Sequence, residues 1–117
     1  MQLYNTLSAE ERAELIDQAG KQRLTLSFYA YAKIENPQQF RNDLFLAWNQ
    51  LDALGRTYVA KEGINAQMSV PAENFEAFRE TLEAYEFMRG IRLNVAVEHD
   101  DHSFLKLTVK VRDKIVA

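Results

Sequence analysis

The chain has 117 residues, of which 47% are hydrophobic and 26% charged, with a formal net charge of −3 and no cysteine. That length suits one domain with a single core, and no apolar run approaches the roughly 20 residues a bilayer-spanning helix needs, so no membrane association is expected. The acidic total argues against a general nucleic-acid binder, and the lack of cysteine excludes a disulfide or a thiol nucleophile within these residues.

Met1-Gln2-Leu3-Tyr4-Asn5 has neither a basic stretch nor an apolar one, so no signal peptide is expected. Together with the missing cysteines this permits a reducing, cytoplasmic location. Ser8-Ala9-Glu10-Glu11 is a capping-box pattern that opens a helix running to about Gln18 or Ala19, with Gly20 just past its end. Leu15, Ile16 and Ala19 form its apolar stripe. Clean alternation follows: Leu24, Leu26, Phe28, Ala30 and Ala32 on one face, Thr25, Ser27, Tyr29, Tyr31 and Lys33 on the other. This is a half-buried strand.

Asn36-Pro37 supplies an N-cap and a proline at the first helical position. Phe40, Leu44, Ala47, Trp48, Leu51 and Leu54 then recur at helical spacing, which predicts a helix stopped by Gly55. Two short alternating segments, 56–60 and 65–70, flank Lys61-Glu62-Gly63-Ile64 and read as a hairpin with a positive φ expected at Gly63. Pro71 closes the second strand. Phe75, Phe78, Leu82 and Tyr85 make the inner stripe of another helix, expected to end near Gly90. Leu93, Val95 and Val97 alternate as a strand, and Leu105, Leu107, Val109 and Val111 form a last one.

Between the first helix and the last strand the order is strand, helix, strand, strand, helix, strand. This predicts an α+β fold: a ferredoxin-like (acylphosphatase-like) split βαβ sandwich, an antiparallel sheet with both helices on one face. The extra N-terminal helix occupies 1–22, the ferredoxin-like unit 23–103, and the final strand with the start of a linker 104–117. The strands' polar sides would form the open face of the sheet.

Charge is unevenly spread. Five glutamates between Glu73 and Glu86 stand against Arg79, a local charge of −4, whereas Lys106, Lys110, Arg112 and Lys114 stand against Asp113 from Phe104 onward, a local charge of +3. An acidic total therefore leaves room for a local anion-binding face.

Tyr58-Val59-Ala60-Lys61-Glu62-Gly63-Ile64-Asn65-Ala66-Gln67 is an uncommon strand–turn–strand wording. With the ending from Phe104 to Ala117, it resembles the N-terminal domain of the rhodanese-like tRNA uridine hydroxylases, which oxidise the wobble uridine to 5-hydroxyuridine. The resemblance covers most of the chain. It implies tRNA as a partner, a rhodanese domain C-terminal to residue 117 that carries the active-site cysteine, and molecular oxygen as co-substrate of the full-length enzyme. It implies no cofactor and no catalytic residue within this domain, which is expected to be inactive alone and to hold tRNA or brace the rhodanese domain. The alternative is a non-catalytic interaction domain that only docks against its neighbour.

The candidate tRNA-binding residues are Arg56, Tyr58, Lys61, Lys106, Lys110, Arg112 and Lys114. By alternation, Lys106, Thr108, Lys110, Arg112 and Lys114 share one side of the last strand, a row suited to phosphates. Lysines on an edge strand equally serve to discourage edge-to-edge pairing; the resemblance favours the first role. Tyr29 and Tyr31, with Arg56, Tyr58 and Lys61, are either base-stacking parts or a surface covered by a neighbouring domain.

Glu98-His99-Asp100-Asp101-His102 has metal-ligand chemistry, but adjacent loop residues seldom converge on one ion, so a polar turn and no metal is expected. Asn65 invites comparison with acylphosphatases, which cradle phosphate in a glycine-containing loop after the first strand. Here that stretch, Ala32-Lys33-Ile34-Glu35-Asn36-Pro37, has neither glycine nor arginine, so such activity is not expected.

Overall fold

The computed structural model describes residues 8–98 and 104–115. Helix α1 (Ala9–Ala19) begins with the expected box: the Glu11 N–H donates to Ser8 Oγ at 3.1 Å, and the Ser8 N–H donates to Glu11 Oε1 at 2.8 Å. It ends at Gly20, whose N–H donates to the Ile16 carbonyl and whose φ of 59° turns the chain out of the helix. Strand β1 (Arg23–Tyr31) buries Leu24, Leu26 and Phe28. Helix α2 (Pro37–Gln50) starts where Asn36 Oδ1 accepts the Gln39 N–H, and it buries Phe40, Leu44 and Trp48.

The expected run of α2 to Gly55 is not observed. The helix stops at Gln50, Asp52 takes a φ of 59°, and Leu54 already belongs to strand β2 (Leu54–Ala60). An aspartate tolerates the left-handed conformation that this reversal requires. Leu54 fits the helical period only by coincidence of spacing.

Strand β3 (Gly63–Pro71) pairs antiparallel with β2, Ala60 opposite Gly63, so Lys61 and Glu62 alone form the turn. Gly63 has a φ of 151°, and an added Cβ would lie 2.0 Å from the Ala30 carbonyl oxygen. Glycine is required there because β1 runs alongside, as much as for the turn. Helix α3 (Phe75–Glu83) buries Phe75, Phe78 and Leu82; it ends seven residues before Gly90, a 3-10 turn at Glu86–Met88 filling part of the gap. Strand β4 (Asn94–Val97) and strand β5 (Leu107–Val111) complete the chain.

The sheet order is β4-β1-β3-β2-β5. The first four strands are antiparallel neighbours, the ferredoxin-like arrangement expected. The added strand β5 runs parallel to β2, so the five-stranded sheet is mixed rather than wholly antiparallel. Trp48, fully buried, links the layers: its ring meets Phe28 of the sheet edge-on at 6.5 Å and Phe78 of α3 at 5.1 Å, and its Nε1 donates to Thr81 Oγ1 at 2.9 Å. Among the described residues no helix is long and apolar enough to cross a membrane.

Candidate nucleic-acid interface

Alternation along each strand sends every second residue away from the helices, and the register lines these residues up in rows. One row runs Asn94, Ser27, Gln67, Arg56, Thr108 from β4 to β5. The next runs Tyr29, Asn65, Tyr58, Lys110. No strand residue on this open face is Asp or Glu, and the helices carry Glu10, Glu11, Glu14, Asp17, Asp43, Glu76, Glu80 and Glu83. Two acids, Asp52 and Glu98, lie at the Arg23 end of the sheet; the Asp52 carboxylate is 3.5 Å from Arg23.

Arg56, Tyr58 and Lys110 are thus brought together as cross-strand neighbours. Arg112 joins them by a different route than expected. Its N–H donates to the Val59 carbonyl just past the end of β5, and its guanidinium stacks 4.5 Å from the Tyr58 ring centroid. Among the described residues, Arg56, Lys110 and Arg112 form no ion pair with a carboxylate, leaving their charge available to an anion.

The single-strand row of five cations and hydroxyls does not hold. Strand β5 spans only Leu107–Val111, so Lys106 precedes it and Lys114 follows it. Lys106 gives its carbonyl to the Gly55 N–H and marks the far end of β2. Beyond Val111 the chain turns over the hairpin: the Ile115 N–H donates to Glu62 Oε2 at 3.3 Å, and Asn65 Nδ2 donates to the Ile115 carbonyl at 3.4 Å. Lys114 therefore sits with Lys61 at the hairpin end, away from Arg56. The opposite stripe also needs correction. Val109 is buried, but Leu105 is 83% and Val111 41% exposed, because cover ends with the strand.

As an edge strand, β5 has its outward Val109 carbonyl capped by Arg41 Nε at 2.7 Å. A helix side chain thus protects this edge at its centre, which the lysine reading left to charge alone.

Three shallow depressions share the open face. One of about 320 Å³ is lined by Ser27, Gln67, Asn94 and Phe104, another of about 260 Å³ by Arg56, Tyr58, Asn65 and Gln67, and a third of about 220 Å³ by Tyr29, Arg92 and Asn94. Phe104, whose ring lies 5.8 Å from the Arg56 guanidinium, and Arg92 were not among the expected site residues. The position of Asn94 on the open face follows from alternation; the approach of Phe104 depends on the 99–103 connection, which has no periodic signal. His99, Asp100, Asp101 and His102 fall outside the described residues, among which no metal-binding cluster of His, Cys, Asp or Glu occurs.

The loop after β1 is tied to the hairpin turn. The Ala32 N–H donates to the Glu62 carbonyl at 3.0 Å and the Ile34 N–H to the Lys61 carbonyl at 2.9 Å, so the hairpin turn occupies donors a cradle would need.

These features define an acylphosphatase-like ferredoxin fold with a cationic, aromatic open sheet. The chain belongs to the family described as the UPF0176 acylphosphatase like domain, whose model matches residues 23–115. It is 45% identical over 116 residues, 98% of its length, to the tRNA uridine(34) hydroxylase of Hamiltonella defensa subsp. Acyrthosiphon pisum, and covers 33% of that protein. To the protein of the same name from Leptospira interrogans it is 42% identical over 115 residues, again 98% of this chain and 31% of the relative. The chain spans about a third of the length of these curated relatives. Among solved structures, acylphosphatase from Bacillus subtilis superposes with a TM-score of 0.53 at 10% identity, over 74% of this chain and 97% of that one. That likeness is one of fold.

Proposed function

We propose that this chain is the N-terminal, tRNA-holding domain of a cytoplasmic hydroxylase that converts the wobble uridine of tRNA to 5-hydroxyuridine. The observation that carries the reading is 45% identity across 98% of the chain to a tRNA uridine(34) hydroxylase. In the full-length protein molecular oxygen is the co-substrate, and the chemistry falls to a cysteine in a rhodanese domain, since this chain has none. The domain's contribution is electrostatic and positional. Arg56, Lys110 and Arg112 meet backbone phosphates from the open face, and Lys61, Lys106 and Lys114 extend the positive field to its two ends.

The test is tRNA binding by the full-length protein at several salt concentrations, for the parent and for Lys110→Ala with Arg112→Ala. Weaker binding and a salt slope reduced by about one per lost phosphate contact are expected. Unchanged affinity and slope would instead support a sheet that only docks its neighbour. Under air with unmodified tRNA, the 117-residue chain alone is expected to form no 5-hydroxyuridine by nucleoside mass spectrometry.

A further inference from the structure

Tyr29 and Tyr31 are the anomaly of the open face. They sit at the end of β1 beyond Ser27, where β4 no longer pairs and β3 alone flanks the strand, and they keep 64% and 63% of their surface exposed. Their rings meet edge-on, with centroids 5.9 Å apart. Packing among the described residues does not account for two large aromatics standing side by side on an uncovered sheet face.

Their surroundings select the kind of occupant. Tyr29 is flanked by Asn65 across the β1–β3 register and shares a depression with Arg92 and Asn94. The Gln67 and Asn94 side-chain amides make no hydrogen bond among the described residues, and each offers both a donor and an acceptor. A protein interface also uses tyrosine and arginine, but around a buried apolar core. Of the exposed aliphatics, Leu46 lies on α2, Val111 on the Val109 side of β5 and Leu105 just ahead of β5, none of them on β1 or its neighbours β4 and β3. Exposed π faces, unpaired amides, a cationic flank of Arg56, Lys110 and Arg112, and strands without carboxylates are instead complementary to unpaired nucleobases on a phosphate backbone.

We infer that the open face takes single-stranded RNA, with Tyr29 and Tyr31 as the platform on which unpaired bases stack and Asn65, Gln67 and Asn94 facing the base edges. This rests on the tRNA reading above and narrows it. The domain engages looped-out nucleotides rather than a duplex stem, whose paired bases have no free face to stack. The cationic cluster follows the backbone two to three strands away, Arg56 on β2 and Lys110 on β5.

The experiment is fluorescence anisotropy of the 117-residue chain with a short labelled oligouridylate and, separately, an RNA duplex of equal charge. Intact tRNA binding by the full-length protein is measured alongside. The single strand is expected to bind more tightly than the duplex. Tyr29→Ala with Tyr31→Ala should weaken single-strand binding on the order of tenfold or more, while duplex binding and the salt slope stay as in the parent. Tyr29→Phe with Tyr31→Phe should restore most of it, because the ring is kept. Lys110→Ala with Arg112→Ala should weaken both RNAs. Equal binding of strand and duplex, or parental single-strand affinity in the tyrosine-to-alanine variant, overturns the platform. The tRNA reading survives that outcome if the charge variant still weakens tRNA binding. Loss of the rest of the protein's docking with RNA affinity unchanged would likewise overturn it, in favour of a protein-covered face. Absence of any RNA binding, by the chain and the full-length protein alike, overturns both readings.

Discussion

On β1 the residues turned toward the helices, Leu24, Leu26 and Phe28, are at most 3% exposed, whereas Tyr29 and Tyr31 on the same strand keep more than 60%. The covered face is apolar across the central strands apart from the buried Thr57, whose hydroxyl donates to Met68 Sδ, and its helices carry their acids outward. The open face is built of hydroxyls, amides, aromatics and cations. The two faces share one backbone and one register, so the difference is one of cover. Where α2 and α3 lie over the sheet, side chains are chosen by shape; where nothing described covers it, they are free to be chosen by chemistry.

The largest effect expected from that contrast is Trp48→Ala. Removing a fully buried ring that touches both Phe28 and Phe78 should cost about 4 kcal/mol in denaturant unfolding. Tyr31→Ala, a comparable truncation on the open face, should stay within about 0.5 kcal/mol of the parent. Comparable losses in the two variants would mean that the open face is structural after all. Val109→Ala, at a site 3% exposed, sharpens the contrast within β5, since the neighbouring Leu107 is only half-buried and leaves a smaller cavity.

Gly63→Ala probes the plane between the faces. With φ at 151° and the Ala30 carbonyl 2.0 Å from the new Cβ, either β1 moves or the hairpin does, at a cost of roughly 3 kcal/mol. Gly20→Ala, at φ 59° with no atom within 4 Å, should cost only the left-handed strain, roughly 1 kcal/mol. Equal losses in thermal or chemical unfolding would remove the close approach as the reason for Gly63.

Arg23 is the open-face exception. It donates from Nε to Ser69 Oγ at 2.7 Å and from a terminal nitrogen to the carbonyls of Asp52 and Ser69, closing the end of the sheet. Arg23→Ala is expected to lower stability by about 1–2 kcal/mol by leaving Ser69, itself 1% exposed, without that donor. RNA affinity should move less than in the Lys110 and Arg112 variants. A larger loss of RNA binding than of stability would extend the cationic cluster to this end.

How much of this was legible in the sequence depends on whether the cause was local. Ser8 with Glu11, and Asn36 with Pro37, announce their helices because a cap is made within a few residues. The alternation from Leu24 to Tyr31 announces β1 because period two is a backbone property. The ferredoxin-like fold followed from element order, but the parallel pairing of β5 with β2 did not. What was missed needed distant partners. The end of α2 is decided by Asp52 and by the recruitment of Leu54 into β2, so helical spacing misled. The limits of β5 are set by how far β2 accompanies it, so Leu105, Arg112 and Lys114 alternate correctly but lie outside the strand. Alternation puts Arg56 and Tyr58 on one surface and Lys110 in another row, and only the β2–β5 register joins them. The stacking of Arg112 on Tyr58 and of Arg56 on Phe104 needed the register and the turns.

The smallest expected effect concerns Tyr85, which among the described tyrosines is the one packed on the helical side, its ring 4.9 Å from Phe40. Burial, and secondarily the nearby negative charge of Asp43, hold its pKa above the ordinary 10.0. The folded state therefore keeps this proton more tightly than the unfolded chain. Below pH 10 both states are protonated and the associated stability is fully present. As the pH rises above 10 the unfolded chain ionises first, and the stability drains away until the folded-state pKa is passed. Tyr85→Phe keeps the ring against Phe40 and removes the ionisation, so its melting temperature should fall less steeply than the parent's on the alkaline side. Asp43→Asn, which removes only the secondary cause, should give a small change in the same direction. Identical alkaline slopes in parent and Tyr85→Phe would show that the phenol is solvated, and that cover by the helical layer ends short of Tyr85.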